Sequence, residues 1–265
     1  MENVDKLPEI LENQLLEIVK RVSKEYNVQV YLDNPDFLED RISAWHQFGL
    51  ISHTKKVREI YLNKLKEFLR KWDISNLIEH FDEEIKDVKK SVLFEISIVL
   101  HDLGKIPCYG DSRVDREHEI LSGKIIKEDF LNNKLKDFGL LEEHINYIKK
   151  CVETHDILGK ELRDKLKHEN KLNLDFLNNR DVIEMCKYLY LKYEDFKTEI
   201  GIFFLCDLLG KTDIIIDVEN DQDILNKEKD IEDILKKRNL PVNLKKAVMQ
   251  LPMTIKLAEV YLKNL

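Results

Sequence analysis

The sequence predicts an all-α protein, on three observations. Apolar residues recur at helical spacing along most of the chain, glycine and proline are scarce at 8 and 5 of 265 residues, and charged residues reach 35% beside 43% apolar. Few backbone breakers with many charges favour long amphipathic helices joined by short connections. The length suffices for one large domain or one and a half, with a sizeable core.

In chain order, residues 7–26 read as one amphipathic helix, with Ile10, Leu11, Leu15, Ile18 and Val22 near one face. Residues 27–35 break it, with an extended piece expected at 28–32. A helical hairpin of 54–71 and 83–103 follows, and the loop 106–116, rich in turn formers, is expected as a pocket rim. Further helices are expected near 117–130, 141–154, 181–193 and 199–209. Residues 217–223 read as an acidic, solvated connection into two C-terminal helices, because the glycine and spacing of a calcium loop are absent.

The apolar run 92–100 ends in His101-Asp102-Leu103-Gly104-Lys105, which delivers an adjacent imidazole and carboxylate out of a buried helix. Burying that pair is costly unless a divalent ion or a dense hydrogen-bond network satisfies it. Other polar groups aim the same way. His53 heads a stripe of Val57, Tyr61, Leu65 and Phe68; His155 follows Ile148, Cys151 and Val152; Asp207 follows Ile200, Phe203 and Phe204. His118 opens a helix after the loop. Imidazoles and carboxylates together make a mixed nitrogen and oxygen site suited to Mn, Fe, Co, Ni or Zn, with Mg possible. Each histidine alone reads more readily as a hydrogen-bonded core residue.

The ordered set His53, His101-Asp102, His118, His155, Asp207 resembles the HD superfamily of metal-dependent phosphohydrolases over residues 45–213. His101-Asp102-Leu103-Gly104-Lys105 matches the frequent HD-x-G-K form. His118-Glu119-Ile120-Leu121-Ser122-Gly123 is similar to a segment of the HD domains of CCA-adding enzymes and CRISPR-associated HD nucleases, and Asp207-Leu208-Leu209-Gly210-Lys211 to the final Asp segment of the former. The resemblance implies an HD-domain helical bundle at 45–213, flanked by helical extensions at 1–44 and 214–265.

It further implies one ion held by His53, His101, Asp102 and Asp207, and a second by His118 and His155 with Asp102 bridging. A metal-bound hydroxide would attack phosphorus, Asp102 and Lys105 would be catalytic, and Lys105, Arg113, Arg116 and Lys124 would hold substrate. Asp213, close to Asp207, is an alternative final ligand. His155-Asp156-Ile157-Leu158-Gly159-Lys160 mimics the first motif with one residue inserted, and Asp156 there is expected to cap the following helix. His80 and His168 read as solvated, His46 as lining the pocket mouth, and His144 is ambiguous.

The net charge of −8 gives no global attraction for long nucleic acid, which favours a nucleotide or other small phosphate ester as substrate. A single-stranded nucleic-acid nuclease is the alternative, and a catalytically inactive HD module binding a nucleotide or a partner protein is the alternative of another class. Cysteines 108, 151, 186 and 206 show no Cys-x-x-Cys spacing and sit in apolar patterns, as reduced core cysteines do. With neither a signal peptide nor an apolar span of membrane length, the sequence is read as cytoplasmic and without a membrane partner.

Overall fold

The structure, a computed structural model, describes residues 4–40, 43–110 and 114–265, with side chains in the last stretch described from residue 117. Fifteen α-helices dominate it: α1 (Leu7–Asn13), α2 (Leu15–Glu25), α3 (Gln29–Asp33), α4 (Leu50–Asn63), α5 (Leu65–Lys71), α6 (Lys90–Leu100), α7 (Val114–Ile126), α8 (Asp129–Asp137), α9 (Glu142–Thr154), α10 (Asp164–His168), α11 (Arg180–Lys192), α12 (Lys197–Gly210), α13 (Asp221–Asn226), α14 (Glu228–Lys237) and α15 (Lys245–Lys263). Among the described residues the only sheet is a hairpin of β1 (Glu84–Ile85) and β2 (Val88–Lys89). The all-α reading therefore holds.

Two helices organise the interior. Helix α6 buries Leu93, Phe94, Ile96, Ser97, Ile98, Val99 and Leu100, and α12 is buried from Thr198 to Gly210. A helix that is apolar all round has no solvent face and must be packed on every side. Accordingly α6 packs against α1, α4 and α9, while α12 packs against α4 and α15. Arg58 on α4 ties this layer together, its guanidinium bridging Glu12 of α1 at 2.9 Å and Glu95 of α6 at 3.0 Å. A second apolar cluster, Ile214, Ile231, Leu235, Leu244 and Val248, lies under the C-terminal helices, with Trp45 packed against it.

Several local expectations change. The helix of 7–26 is two helices, because Gln14 adopts φ −96° and ψ 3° and ends α1. The extended piece at 28–32 is instead the single turn α3, which drives Tyr31 into the core at 1% exposure; burial there overrides the β-branched valines. The second arm of the helical hairpin does not start at 83: residues 84–89 form the β-hairpin, whose turn residues Lys86 and Asp87 both have positive φ, 46° and 67°. The helix expected at 117–130 ends at Ile126, and three helices rather than two follow the acidic connection. His144 satisfies the start of α9, its Nδ1 accepting from the Leu141 amide at 3.0 Å while Nε2 donates to the Ile85 carbonyl at 2.7 Å. All four cysteines are buried, with no disulfide among the described residues. No helix among those residues is long and apolar enough to cross a membrane.

Candidate metal centre

Five helices converge on a buried polar cluster. His53 comes from the first turns of α4, His101 and Asp102 from the C-terminal end of α6, His118 from α7, His155 from the end of α9, and Asp207 from the last turn of α12. All six are at most 7% exposed. Two glycines permit the convergence. A Cβ at Gly104 would lie 1.9 Å from the His118 carbonyl oxygen, so only glycine lets the turn after Asp102 press against α7. There the Gly104 amide donates to Ser122 Oγ at 2.7 Å, and that hydroxyl donates to the His118 carbonyl at 2.9 Å. A Cβ at Gly210 would meet Val57 Cγ2 at 2.6 Å, so its absence lets α12 approach α4.

The rings share one mode of anchoring. His53 Nδ1 lies 3.1 Å from the Gly210 carbonyl, His101 Nδ1 2.7 Å from that of Ile98, and His155 Nδ1 2.7 Å from that of Val152. A carbonyl only accepts, so Nδ1 carries a proton in all three, and each ring turns Nε2 inward, as a lone pair wherever the ring is neutral. Those Nε2 atoms meet carboxylates or a second ring. His53 Nε2 is 2.9 Å from Asp207 Oδ1 and 3.5 Å from Asp102 Oδ2, His101 Nε2 is 3.2 Å from Asp102 Oδ2, and His155 Nε2 is 3.3 Å from His118 Nε2. Lone pairs facing carboxylates in a buried site repel unless positive charge lies between them.

Two groups have donor atoms all within 4.8 Å of one another: His53, His101 and Asp102, and Asp102, His118 and His155. Asp102 belongs to both, with Oδ2 toward His53 and His101 and Oδ1 3.5 Å from His118 Nε2. His101 Nε2 and Asp102 Oδ1 are fully buried without a hydrogen bond of acceptable geometry. Such atoms are rare in folded proteins and call for a partner. The donor set, neutral imidazole and carboxylate held by backbone carbonyls, fits a divalent cation.

Protein families, curated proteins and solved structures were all compared with the chain, and none matches.

Charge in the cluster is tightly balanced. Lys105 Nζ donates to Asp102 Oδ2 at 2.6 Å and Lys211 Nζ pairs with Asp207 Oδ2 at 2.9 Å. Burial opposes ionisation of both carboxyls, but the facing cations win: His101 and Lys105 hold Asp102, and Lys211, His101 and His53 hold Asp207, well below the usual carboxylate range. Burial disfavours protonated histidine as well. It lowers the pKa of His53 and His118 and pushes His155 down to about 4, whereas Asp102 and Asp207 outweigh it at His101 and raise that ring to about 9.

A cavity of about 650 Å³ opens above the cluster. Asp102, Lys105, His118, His155 and Asp207 form its floor, and His46 lies beside them with its ring edge-on to His53 at 4.6 Å. Asp213 is not part of the cluster; it is half-exposed and pairs with Lys56 at 3.0 Å. Lys124 is exposed on α7 and absent from the lining. Arg113 and the Arg116 side chain lie outside the described residues, as do residues 111–113 of the expected rim. The described part of that loop, 106–110, does not line the cavity.

The upper wall was not anticipated from the sequence. Residues Leu158–Arg163 form a π-helical turn directly after His155, which leads into α10 and sets Arg163 and Lys167 against the cavity. Asp156, expected as a helix cap, lines the cavity instead, and the missing Cβ of Gly159 leaves room for its carboxylate, 2.2 Å from where that atom would be. Opposite stand Trp45 and, from α15, Ala247, Gln250, Leu251 and Thr254. Of the two histidines expected as solvated, His168 is exposed yet lines the cavity, and His80 is half-buried, its Nε2 2.7 Å from Glu199 Oε1.

Proposed function

We propose that this chain is a member of the HD superfamily and hydrolyses a phosphate ester with the help of one or two divalent metal ions, its substrate a nucleotide or other small phosphate ester. The observation that carries this reading is the common orientation of His53, His101 and His155, each anchored through Nδ1 on a carbonyl and each turning Nε2 onto a carboxylate or another ring. At His53, a neutral ring whose proton is donated to the Gly210 carbonyl, this leaves a lone pair rather than a donor against the buried Asp207 carboxylate, an arrangement that a cation between them would satisfy.

His53, His101, Asp102 and Asp207 would hold one ion, and Asp102, His118 and His155 a second. Bound divalent ions would supply Lewis-acid polarisation of a phosphoryl oxygen and activation of water. The chain's own residues do the rest. Asp102 keeps one oxygen on each ligand group and so fixes their separation. Carbonyls of Ile98, Val152 and Gly210 hold the ring planes and the tautomer. Lys105 and Lys211, each within 3 Å of a carboxylate oxygen, place positive charge at the cavity floor where phosphoryl oxygens would sit. Burial excludes bulk water and strengthens each of these interactions.

The test is metal analysis of the purified protein together with a hydrolysis screen under Mn, Co, Ni, Fe, Mg and Zn, using a generic phosphodiester, nucleotides and single-stranded oligonucleotides. Turnover that requires an added ion and disappears in Asp102→Ala is the expected result. Neither bound metal nor turnover with any ion would replace this reading with that of a binding module.

A further inference from the structure

We infer that the upper wall of the cavity is a recognition subsite for the base of a single nucleotide, built by Trp45, Lys167 and Gln250. This rests on the phosphohydrolase reading of the floor, since it takes the phosphate to lie there. The wall differs from the floor in chemistry. Among the described residues the cavity has four formal cations, and three are ion-paired: Lys105 with Asp102, Lys211 with Asp207, and Arg163 with Asp164 at 2.9 Å. The fourth, Lys167, makes no ion pair among the described residues; its ammonium sits 5.0 Å from the centre of the Trp45 ring.

An exposed lysine resting on an indole face marks that face as accessible from the cavity rather than packed in the core. Trp45 also packs against the C-terminal apolar cluster. Backbone hydrogen bonding holds its segment, for the Gln47 amide donates to the Lys211 carbonyl at 2.7 Å and Gln47 Oε1 accepts from Thr212 Oγ1 at 3.0 Å. The ring is thus a fixed platform at the end of α12, on the same helix terminus that supplies Asp207 and Lys211.

Gln250 of α15 lines the same cavity, as do Ala247 and Leu251, and its side-chain amide makes no hydrogen bond among the described residues. A flat aromatic face, a neutral amide able to donate and accept at once, and a movable cation are together what a heteroaromatic base requires: stacking on one face and paired hydrogen bonds at the edge. The volume of about 650 Å³ falls within the range of about 300–1,000 Å³ typical of small-ligand pockets, a size that suits one nucleotide.

The experiment is a calorimetric titration of the full chain, dialysed against EDTA, with the four ribonucleoside 5′-monophosphates, ribose 5-phosphate, and a ten-residue single-stranded oligonucleotide. In parallel, Trp72→Phe leaves Trp45 as the sole fluorophore of the two tryptophans, because Trp72 is a core residue outside the cavity. At least one monophosphate is expected to bind about tenfold or more tightly than ribose 5-phosphate and to quench Trp45 saturably. Gln250→Ala should shrink that ratio severalfold in a protein whose circular dichroism is unchanged. Equal affinity for ribose 5-phosphate and all four nucleotides would overturn the subsite. Tighter binding of the oligonucleotide than of any monophosphate would overturn its restriction to one unit. Base-selective binding without turnover under any ion would remove the hydrolase reading and leave the subsite standing, whereas metal-dependent hydrolysis with the same kcat/KM for nucleotide and ribose 5-phosphate would do the reverse.

Discussion

Helix α12 carries a buried carboxylate near each end, and the two are treated in opposite ways. Glu199, in the first turn and 1% exposed, gives Oε1 to two donors, the Tyr147 hydroxyl at 2.9 Å and His80 Nε2 at 2.7 Å. Asp207, in the last turn and 6% exposed, faces the Nε2 of His53, whose proton is committed to a carbonyl on the other side of the ring, and takes its compensation from Lys211. Glu199 Oε1 is held by donors as a structural group is held, although Oε2 is buried without a hydrogen bond. Asp207 is surrounded by groups that compete for the same positive charge. Burial alone therefore does not distinguish a structural acid from a ligand; the direction of the neighbouring protons does.

The difference between the two ends can be broken experimentally. The largest effect is expected from Asp102→Asn, which neutralises the carboxylate common to both ligand groups. Bound metal should fall below stoichiometry by elemental analysis, and ion-dependent turnover should drop to background. Glu199→Gln should change neither, which makes it the control within one helix.

Next comes Gly104→Ala. With a Cβ 1.9 Å from the His118 carbonyl oxygen, backbone must move, and a loss of about 3 kcal/mol is expected in urea unfolding. Metal stoichiometry should fall with it, because α7 carries His118.

Saturating Mn²⁺ at about 100 times its Kd should then stabilise the native protein by about 2.7 kcal/mol, read as a rise in Tm, and should leave Tm unmoved in Asp102→Asn. The smallest effect belongs to the opposite end of α12. Tyr147→Phe removes a donor from buried Glu199 and should cost about 1–3 kcal/mol while metal content and kcat/KM stay at their original values. A Tyr147→Phe protein that lost metal would erase the contrast between the two carboxylates.

The legibility of the molecule in its sequence follows the same division. Helices α6 and α12 are mostly apolar and largely buried, so a histidine or aspartate in or just after them stands out against its surroundings, and the positions of His53, His101, Asp102, His155 and Asp207 on apolar stripes foretold their burial. The choice between Asp207 and Asp213 needed the fold, because Asp207 faces inward from the last turn of α12 whereas Asp213 lies just past the end of that helix and pairs with Lys56. The upper wall was not legible. Trp45, Lys167 and Gln250 are distant in sequence, sit in mixed polar and apolar surroundings, and meet only because the C-terminal helices fold back over α12. The hairpin at 84–89 was hidden for a local reason: its turn is Lys86-Asp87, without the glycine or asparagine that usually signals positive φ.

The π-helical turn at Leu158–Arg163 bears on how this wall could change over time. Such a turn spends one residue more than an α-helix needs for the same rise, so it behaves as an insertion that the fold has absorbed. Deleting a single residue there would restore α-helical winding and swing everything downstream by about 100° around the axis, carrying Arg163 and Lys167 off the cavity while leaving His155 in place. Ligand choice above the floor thus hangs on a one-residue register that can be gained or lost without touching the buried histidines.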